Sequence, residues 1–267
     1  MFDLFAKLRK KKEFKEYDFR IVDFTLPEDG TVQYAQWLHP GEFGNEVKQE
    51  SVNFYRRYVK SGDFIIDIGA NEGDTTVPMA LAAGKQGLTL ALEPNPHVFK
   101  VLEVNARLNP KTTNIIPLNF AATAYDGEFT FGSGDPSYGN GGIVGFTHNQ
   151  ARNVRYQFSV TGKNMENYLR QNYGPDLKRL TFIKIDAEGY DKEIIKTITG
   201  IIREFRPTIV TECFGPSTGA EKKELLDLLT GLNYSVYRLR DFLDTKPEPV
   251  IEFAGKDTFD VLALPQA

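Results

Sequence analysis

A single cysteine, Cys213, is all that the 267 residues contain. That scarcity excludes an internal disulfide framework and any metal site built from several thiolates, and it fits a reducing compartment without requiring one. Apolar runs are short, and none approaches the roughly 20 residues that a membrane span needs. Positive charge is not in excess either: 32 Lys and Arg stand against 36 Asp and Glu, for a net charge of −4. No general basic field exists to hold a polyanion, which argues against a nucleic-acid partner. No internal repeat is visible, and no apolar core of a secretory leader stands near the start. The expectation is a soluble, cytoplasmic protein without a membrane span. With 41% hydrophobic and 25% charged residues, the chain has an ordinary globular composition. Its length suits one large α/β domain with an appendage.

What is present is organised around Phe64–Thr76, FIIDIGANEGDTT. Phe64, Ile65, Ile66 and Ile68 form an apolar, β-branched run that fits a strand buried on both faces. It breaks at Asp67, Gly69, Ala70 and Gly73 into a turn, and Thr75–Ala83 continues as a helix. Missing side chains let backbone approach a ligand, and the helix start presents free N–H groups, so nucleotide-like ligands suit such a place. The spacing is D-x-G-x-x-x-G rather than the NAD-type G-x-G-x-x-G, and we read it as the cofactor loop of a methyltransferase. A second buried strand, Leu88–Leu92, ends in Glu93, 26 residues beyond Asp67. A carboxylate there can accept hydrogen bonds from both hydroxyls of a ribose, and it repels a 2′-phosphate.

Ahead of this core, residues 1–60 read as a separate N-terminal segment. Phe2, Phe5 and Leu8 beside Lys10–Lys12 suggest a packing helix with a solvated charge run; peripheral contact with an anionic surface is the weaker alternative. Residues 17–38 suggest a β-hairpin around Pro27–Gly30, and Val47–Val59 a helix that could cover a ligand cleft. His39, before a Pro-Gly break, reads as a loop residue. Residues 61–267 form the main domain. A helix over Pro96–Asn109 and a strand over Ile115–Phe120 precede Asp126-Gly127, a hairpin signal from which Glu128–Phe131 would pair back. Residues 132–146 hold six glycines and read as a substrate-side lid with Ser137, Tyr138 or Asn140. Further strands are expected at Tyr156–Val160, Thr181–Ile185, Thr208–Glu212, Tyr234–Leu239 and Thr258–Leu264. Helices are expected at Asn164–Asn172, Asp191–Phe205 and Glu221–Leu232. Alternating β and α indicates a mostly parallel sheet with helices on both faces, and the closing pair an antiparallel edge hairpin. The polar strand ends Asp67, Glu93, Asn119, Asp186, Glu188 and Glu212 then share one sheet edge, where such folds bind ligands. Cys213 reads as a buried core residue.

Three segments together, DIGANEG (67–73), LEPNP (92–96) and IKIDAEGYDKEIIK (183–196), resemble the FkbM family of S-adenosylmethionine-dependent methyltransferases, and LNFAATAYDGEFTF (118–131) resembles its third motif. The resemblance implies a class I, Rossmann-like α/β fold of seven strands, the last antiparallel. It implies methyl transfer to a hydroxyl of a sugar, glycan or other small-molecule natural product. By motif, Asp67, Gly69, Ala70, Asn71, Gly73 and Thr76 would surround the methionine part of S-adenosylmethionine, with Glu93 on the ribose and Asn119 and Ala121 bordering adenine. Asp186 and Glu188 would face the methyl group and the acceptor. A hydroxyl must lose its proton, so Asp186 is the first candidate base, Glu188 the second and His148 a distant third. Mg²⁺ held by Asp186, Glu188 and Glu212 is conceivable, but nothing in the spacing demands it, and no metal is expected. The competing readings fit less well. An NAD-dependent oxidoreductase lacks its glycine loop here, and a nucleic-acid base methyltransferase would carry Asn/Asp-Pro-Pro-aromatic where this chain has IDAEGYD. A protein acceptor is a further alternative, and a non-enzymatic binding module is disfavoured by intact cofactor motifs.

Overall fold

A computed structural model describes residues 15–40, 44–134, 141–145, 156–242, 247–250 and 257–266. The basic start (Phe2 to Lys12), Ser137, Tyr138, Asn140 and His148 lie outside these. The chain begins with β1 (Phe19–Leu26) and β2 (Gly30–Trp37), an antiparallel hairpin, then α1 (Gln49–Arg56). There follow β3 (Phe64–Ile68), α2 (Thr76–Ala83), β4 (Leu88–Leu92), α3 (Pro96–Leu108) and β5 (Ile115–Leu118). Four short strands come next: β6 (Ala121–Thr123), β7 (Gly127–Ser133), β8 (Gly141–Ile143) and β9 (Tyr156–Asn164). The second half holds α4 (Met165–Tyr173), β10 (Leu180–Ile185), α5 (Asp191–Thr197), α6 (Thr199–Phe205), β11 (Thr208–Cys213), α7 (Gly219–Gly231), β12 (Tyr234–Leu239), β13 (Glu248–Pro249) and β14 (Phe259–Pro265).

The main sheet runs β13-β12-β14-β11-β10-β3-β4-β5. Strands β5, β4, β3, β10 and β11 pair in parallel, and β14 is antiparallel to both neighbours. This is the class I methyltransferase type of α/β fold. All five residues of β3 and of β4 are buried, because helices cover both faces of a parallel sheet. Phe64, Ile66 and Ile68 meet Met165, Ile194, Ile201 and Leu229 on one face. Ile65 meets Tyr55, Val77 and Met79 on the other, with Tyr34 of the hairpin in the same cluster. Strand order reverses between β3 and β10, which opens a crevice at their carboxyl ends.

Three local expectations need refinement. The antiparallel last strand, β14, lies one place inside the edge, between β11 and β12, and the two-residue β13 takes the edge. Glu128–Phe131 does not pair back on the preceding strand: β9 lies between β6 and β7 in a separate sheet ordered β6-β9-β7-β8. Gly162 makes this register fit, since a Cβ there would lie 2.5 Å from the Phe129 ring. The single helix expected over 191–205 is broken at Ile198 (φ −102°, ψ 17°). There the Thr197 and Thr199 hydroxyls donate back to the carbonyls of Glu193 and Ile195, and Gly200 N–H leaves for Glu166 Oε2 at 3.1 Å.

The hairpin is fastened to the core by Asn105 of α3, which is fully buried. Its Oδ1 accepts from Ala35 N–H at 2.7 Å, and its Nδ2 donates to the carbonyls of Ala35 and Glu72 at 3.1 and 2.8 Å. Asn105→Ala would strand three buried backbone groups, and we expect it to cost about 2–4 kcal/mol in urea unfolding. A loss below about 1 kcal/mol would show that the clamp is dispensable.

Candidate active site

The crevice is built where β3 and β4 hand over to their loops. The N–H groups of Gly69 and Ala70 donate to Leu92 O, at 3.0 and 2.8 Å, so the first loop is stitched to β4. Asp186 N–H donates to Ile68 O at 2.9 Å, which stitches it to β10 on the other side. Gly69 has φ +78°, and a Cβ on it would lie 1.8 Å from Asp186 O. Only glycine lets these two backbones touch.

A cavity with about 880 Å³ of atom-free space, counting its open mouth, fills this crevice. Of the expected cofactor residues, Gly69, Asn71, Glu93 and Ala121 line it, as do both expected catalytic residues, Asp186 and Glu188. Asp67, Ala70, Gly73, Thr76 and Asn119 do not; they hold the lining from behind. Asp67 is fully buried, and its Oδ2 accepts from the hydroxyls of Thr76 (2.6 Å) and Thr75 (3.3 Å), which fixes the start of α2. Asn119 Nδ2 donates to the carbonyls of Glu93 and Pro94, at 2.8 and 3.2 Å.

Glu93 is the anchor of the cavity floor. Its Oε2 accepts from Asn71 N–H at 3.1 Å and its Oε1 from Asn95 N–H at 2.7 Å. Burial pushes its carboxyl up to about 8, against the pull of those two N–H groups. Beside it, Asn71 has φ +47° and a buried Oδ1 with no hydrogen-bond partner among the described residues. A carboxyl with spare acceptor capacity, an unpartnered amide oxygen and a glycine-lined backbone fit an adenosine cofactor with a polar amino-acid tail.

The opposite wall carries Asp186 and Glu188. Glu188 has φ +51°, a left-handed conformation that costs a non-glycine residue roughly 1–2 kcal/mol. Burial, then repulsion from Asp186 and Asp191, pushes its carboxyl up to about 7. Asp186 is bonded to the buried ammonium of Lys184, whose Nζ lies 3.2 Å from Asp186 Oδ2 and 3.6 Å from Asp67 Oδ1. Burial alone would push Lys184 down; the facing Asp186, Asp67 and Asp74 outweigh it and hold it up.

Sequence reasoning missed four contributors. Asp191 organises the loop that carries Asp186 and Glu188: its Oδ1 accepts from Ala187 N–H, Glu212 N–H and the Thr211 hydroxyl, its Oδ2 from Gly189 N–H at 3.1 Å. Its place at the head of a helix, directly after the D-A-E-G-Y turn, was the available signal. Lys184, in the middle of the IKIDAEG motif, is buried and pairs with Asp186 and Asp67, a role that its strand position alone does not announce. Glu72 is buried in the first loop and accepts from Tyr34 Oη at 3.0 Å and Asn45 Nδ2 at 2.9 Å. The small sheet supplies Phe131, Gly141, Gly142 and Ile143 as one side of the cavity, so the described end of the glycine-rich segment forms wall. His39 is buried between the rings of Tyr17 and Trp37, each centred 4.7 Å away. Burial pushes the thiol of Cys213 up to about 11, as suits a core residue. Among the described residues no three His, Cys, Asp or Glu side chains converge on a metal-sized point, and no helix is long and apolar enough to cross a membrane.

The sheet order, the glycine loop and the strand-end acid define an S-adenosylmethionine-dependent methyltransferase. A model of the FkbM methyltransferase domain matches residues 67–239, well over half of the chain, and the protein belongs to that family. Among curated proteins it is similar to the hexuronic acid methyltransferase AglP of Haloferax volcanii, with 25% identity over 183 residues, or 68% of either chain. Among solved structures it is similar to the methyltransferase FkbM of Methylobacillus flagellatus, at a TM-score of 0.48 and 15% identity, covering 78% of this chain and 44% of that one. An O-methyltransferase from Thermotoga maritima gives 0.44 and 16%, covering 93% and 78%.

Glu93, Glu188 and Asp191 are all pushed above their ordinary values, Asp191 to about 7 by burial and the charge of Asp186. The fold therefore binds protons that the unfolded chain has released, and stability is lost as pH rises through 7 to 8. The ligand-free protein should melt at a lower temperature at pH 8 than at pH 6, and Glu93→Gln should flatten that slope. A melting temperature that rises over the same range would contradict this.

Proposed function

We propose that the protein transfers the methyl group of S-adenosylmethionine to a hydroxyl oxygen of a sugar, glycan or other small molecule. The observation that carries this reading is the position of Asp186: it lines the cofactor cavity and also a second cleft beyond β10, toward β11, β12 and β14. When bound, the sulfonium supplies an electrophilic methyl group, so the protein's task is alignment and removal of a proton. Asp186 is suited to accept the hydroxyl proton, and its ion pair with Lys184 holds the carboxylate in place. Glu188 faces the same space and orients the acceptor. Glu93 takes the ribose, Asn71 the amino-acid tail side, and Ala121 with Asn119 behind it the adenine side. Asp67, Ala70, Gly73 and Thr76 keep the loop in shape, and the hairpin, through Tyr34, and the segment before α1, through Asn45, brace it at Glu72. The name of the Haloferax relative, at 25% identity, supports a sugar as acceptor.

Two variants separate these roles. Gln at position 93 can face only one of the two N–H groups with oxygen, so Glu93→Gln should weaken S-adenosylmethionine binding roughly 10-fold or more in calorimetry. Asp186→Asn should leave that affinity nearly unchanged and lower methyl incorporation into sugars by about 10²–10⁴-fold. Equal, small effects from both would overturn the assignments.

A further inference from the structure

The second cleft opens between the ends of β11 and β12 and the start of β14, and meets the cofactor cavity at Asp186. It encloses about 1120 Å³ of atom-free space, counting its open side. Its charged groups can be accounted for one by one. Arg240 pairs with Glu248 at 2.6 Å on the rim. Lys184 stands behind Asp186 at 3.2 Å and also faces Asp260, whose carboxyl burial pushes up to about 6. Burial, and then the charges of Asp186 and Asp191, push the Glu212 carboxyl well above its ordinary range, which favours its neutral form. Its Oε2 is buried without a hydrogen-bond partner among the described residues.

That leaves Arg238. Its guanidinium lies over the Phe259 ring, 4.3 Å from the centroid, and no carboxylate pairs with it among the described residues. A guanidinium held over a ring by a cation–π contact keeps N–H groups for other partners, in the fork geometry that grips carboxylate or phosphate oxygens in pairs. Glu212 lines the same cleft, and its buried, unpartnered Oε2 suits a neighbouring hydroxyl.

We propose that this cleft is an acceptor subsite for an anionic, polyhydroxylated substrate: Arg238 takes its carboxylate or phosphate group, and Glu212 and Asp186 meet its hydroxyls. This rests on the reading of the reaction as hydroxyl methylation. It adds a selection that neither the fold nor the cofactor loop requires.

The test is a titration of the protein saturated with S-adenosylhomocysteine, using glucuronate, glucose 6-phosphate and glucose, followed by calorimetry. At least one anion should bind 10-fold or more tightly than glucose, with a preference that shrinks as salt rises. Arg238→Gln should abolish the preference while S-adenosylhomocysteine affinity and melting temperature stay within error. Whichever anion binds better identifies the group as carboxylate or phosphate. Equal binding of all three sugars, no binding of either anion, or a preference that survives in Arg238→Gln would overturn the proposal. Failure of the hydroxyl-methylation reading has a different signature, methyl transfer to an acceptor nitrogen or carbon, and leaves the anion titration interpretable.

Discussion

Burying an ammonium among the strands of a sheet costs several kcal/mol unless carboxylates surround it, and Lys184 is only 3% exposed. Asp67 and Asp186 meet that requirement from two sides, one at the end of β3 and one just past β10. Each carboxylate has a second task. Asp67 gathers the hydroxyls that begin α2, and Asp186 presents its other face to the cavity and to the second cleft. One buried cation thus ties the loop after β3 to the loop after β10. Removing it would leave two carboxylates to repel each other near the switch point of the sheet.

Two of the four non-glycine residues with positive φ among the described residues lie at the same place. Asn71 and Glu188 both adopt positive φ, and both line the cavity from facing loops. Asp191 holds the Glu188 turn through the N–H groups of Ala187 and Gly189. The hairpin reaches the Asn71 turn through Tyr34, Glu72 and Asn105. Each of these two angles therefore has its own buried brace, which is how a side chain is kept aimed into a cleft before anything binds.

The parts legible in the sequence are those whose causes are local. A buried β-branched run, a glycine turn and an acid at the next strand end announce themselves over a few residues, so Gly69, Asn71, Glu93 and Asp186 could be named and do line the cavity. Asp67 and Thr76 were legible as members of a motif, but their contact with each other, rather than with the cavity, depends on which face of β3 each atom meets. The pairing of β7 with β9 joins segments separated by the glycine-rich stretch, and a local hairpin signal pointed elsewhere. Arg238 was silent for the same reason: its neighbours Phe259 and Asp260 come from β14, which inserts beside β12 in antiparallel register.

The small sheet has one topological consequence. β6 and β9 run side by side, with Thr123 opposite Asn164, so the excursion into the small sheet begins and ends about one strand spacing apart, before α4 leads back to β10. Everything between forms a cassette whose two ends are already adjacent. Its contents can lengthen, shorten or be exchanged without shifting β5 or β10, so the wall of the cavity is free to diversify while the edge that carries Glu93 and Asp186 stays fixed.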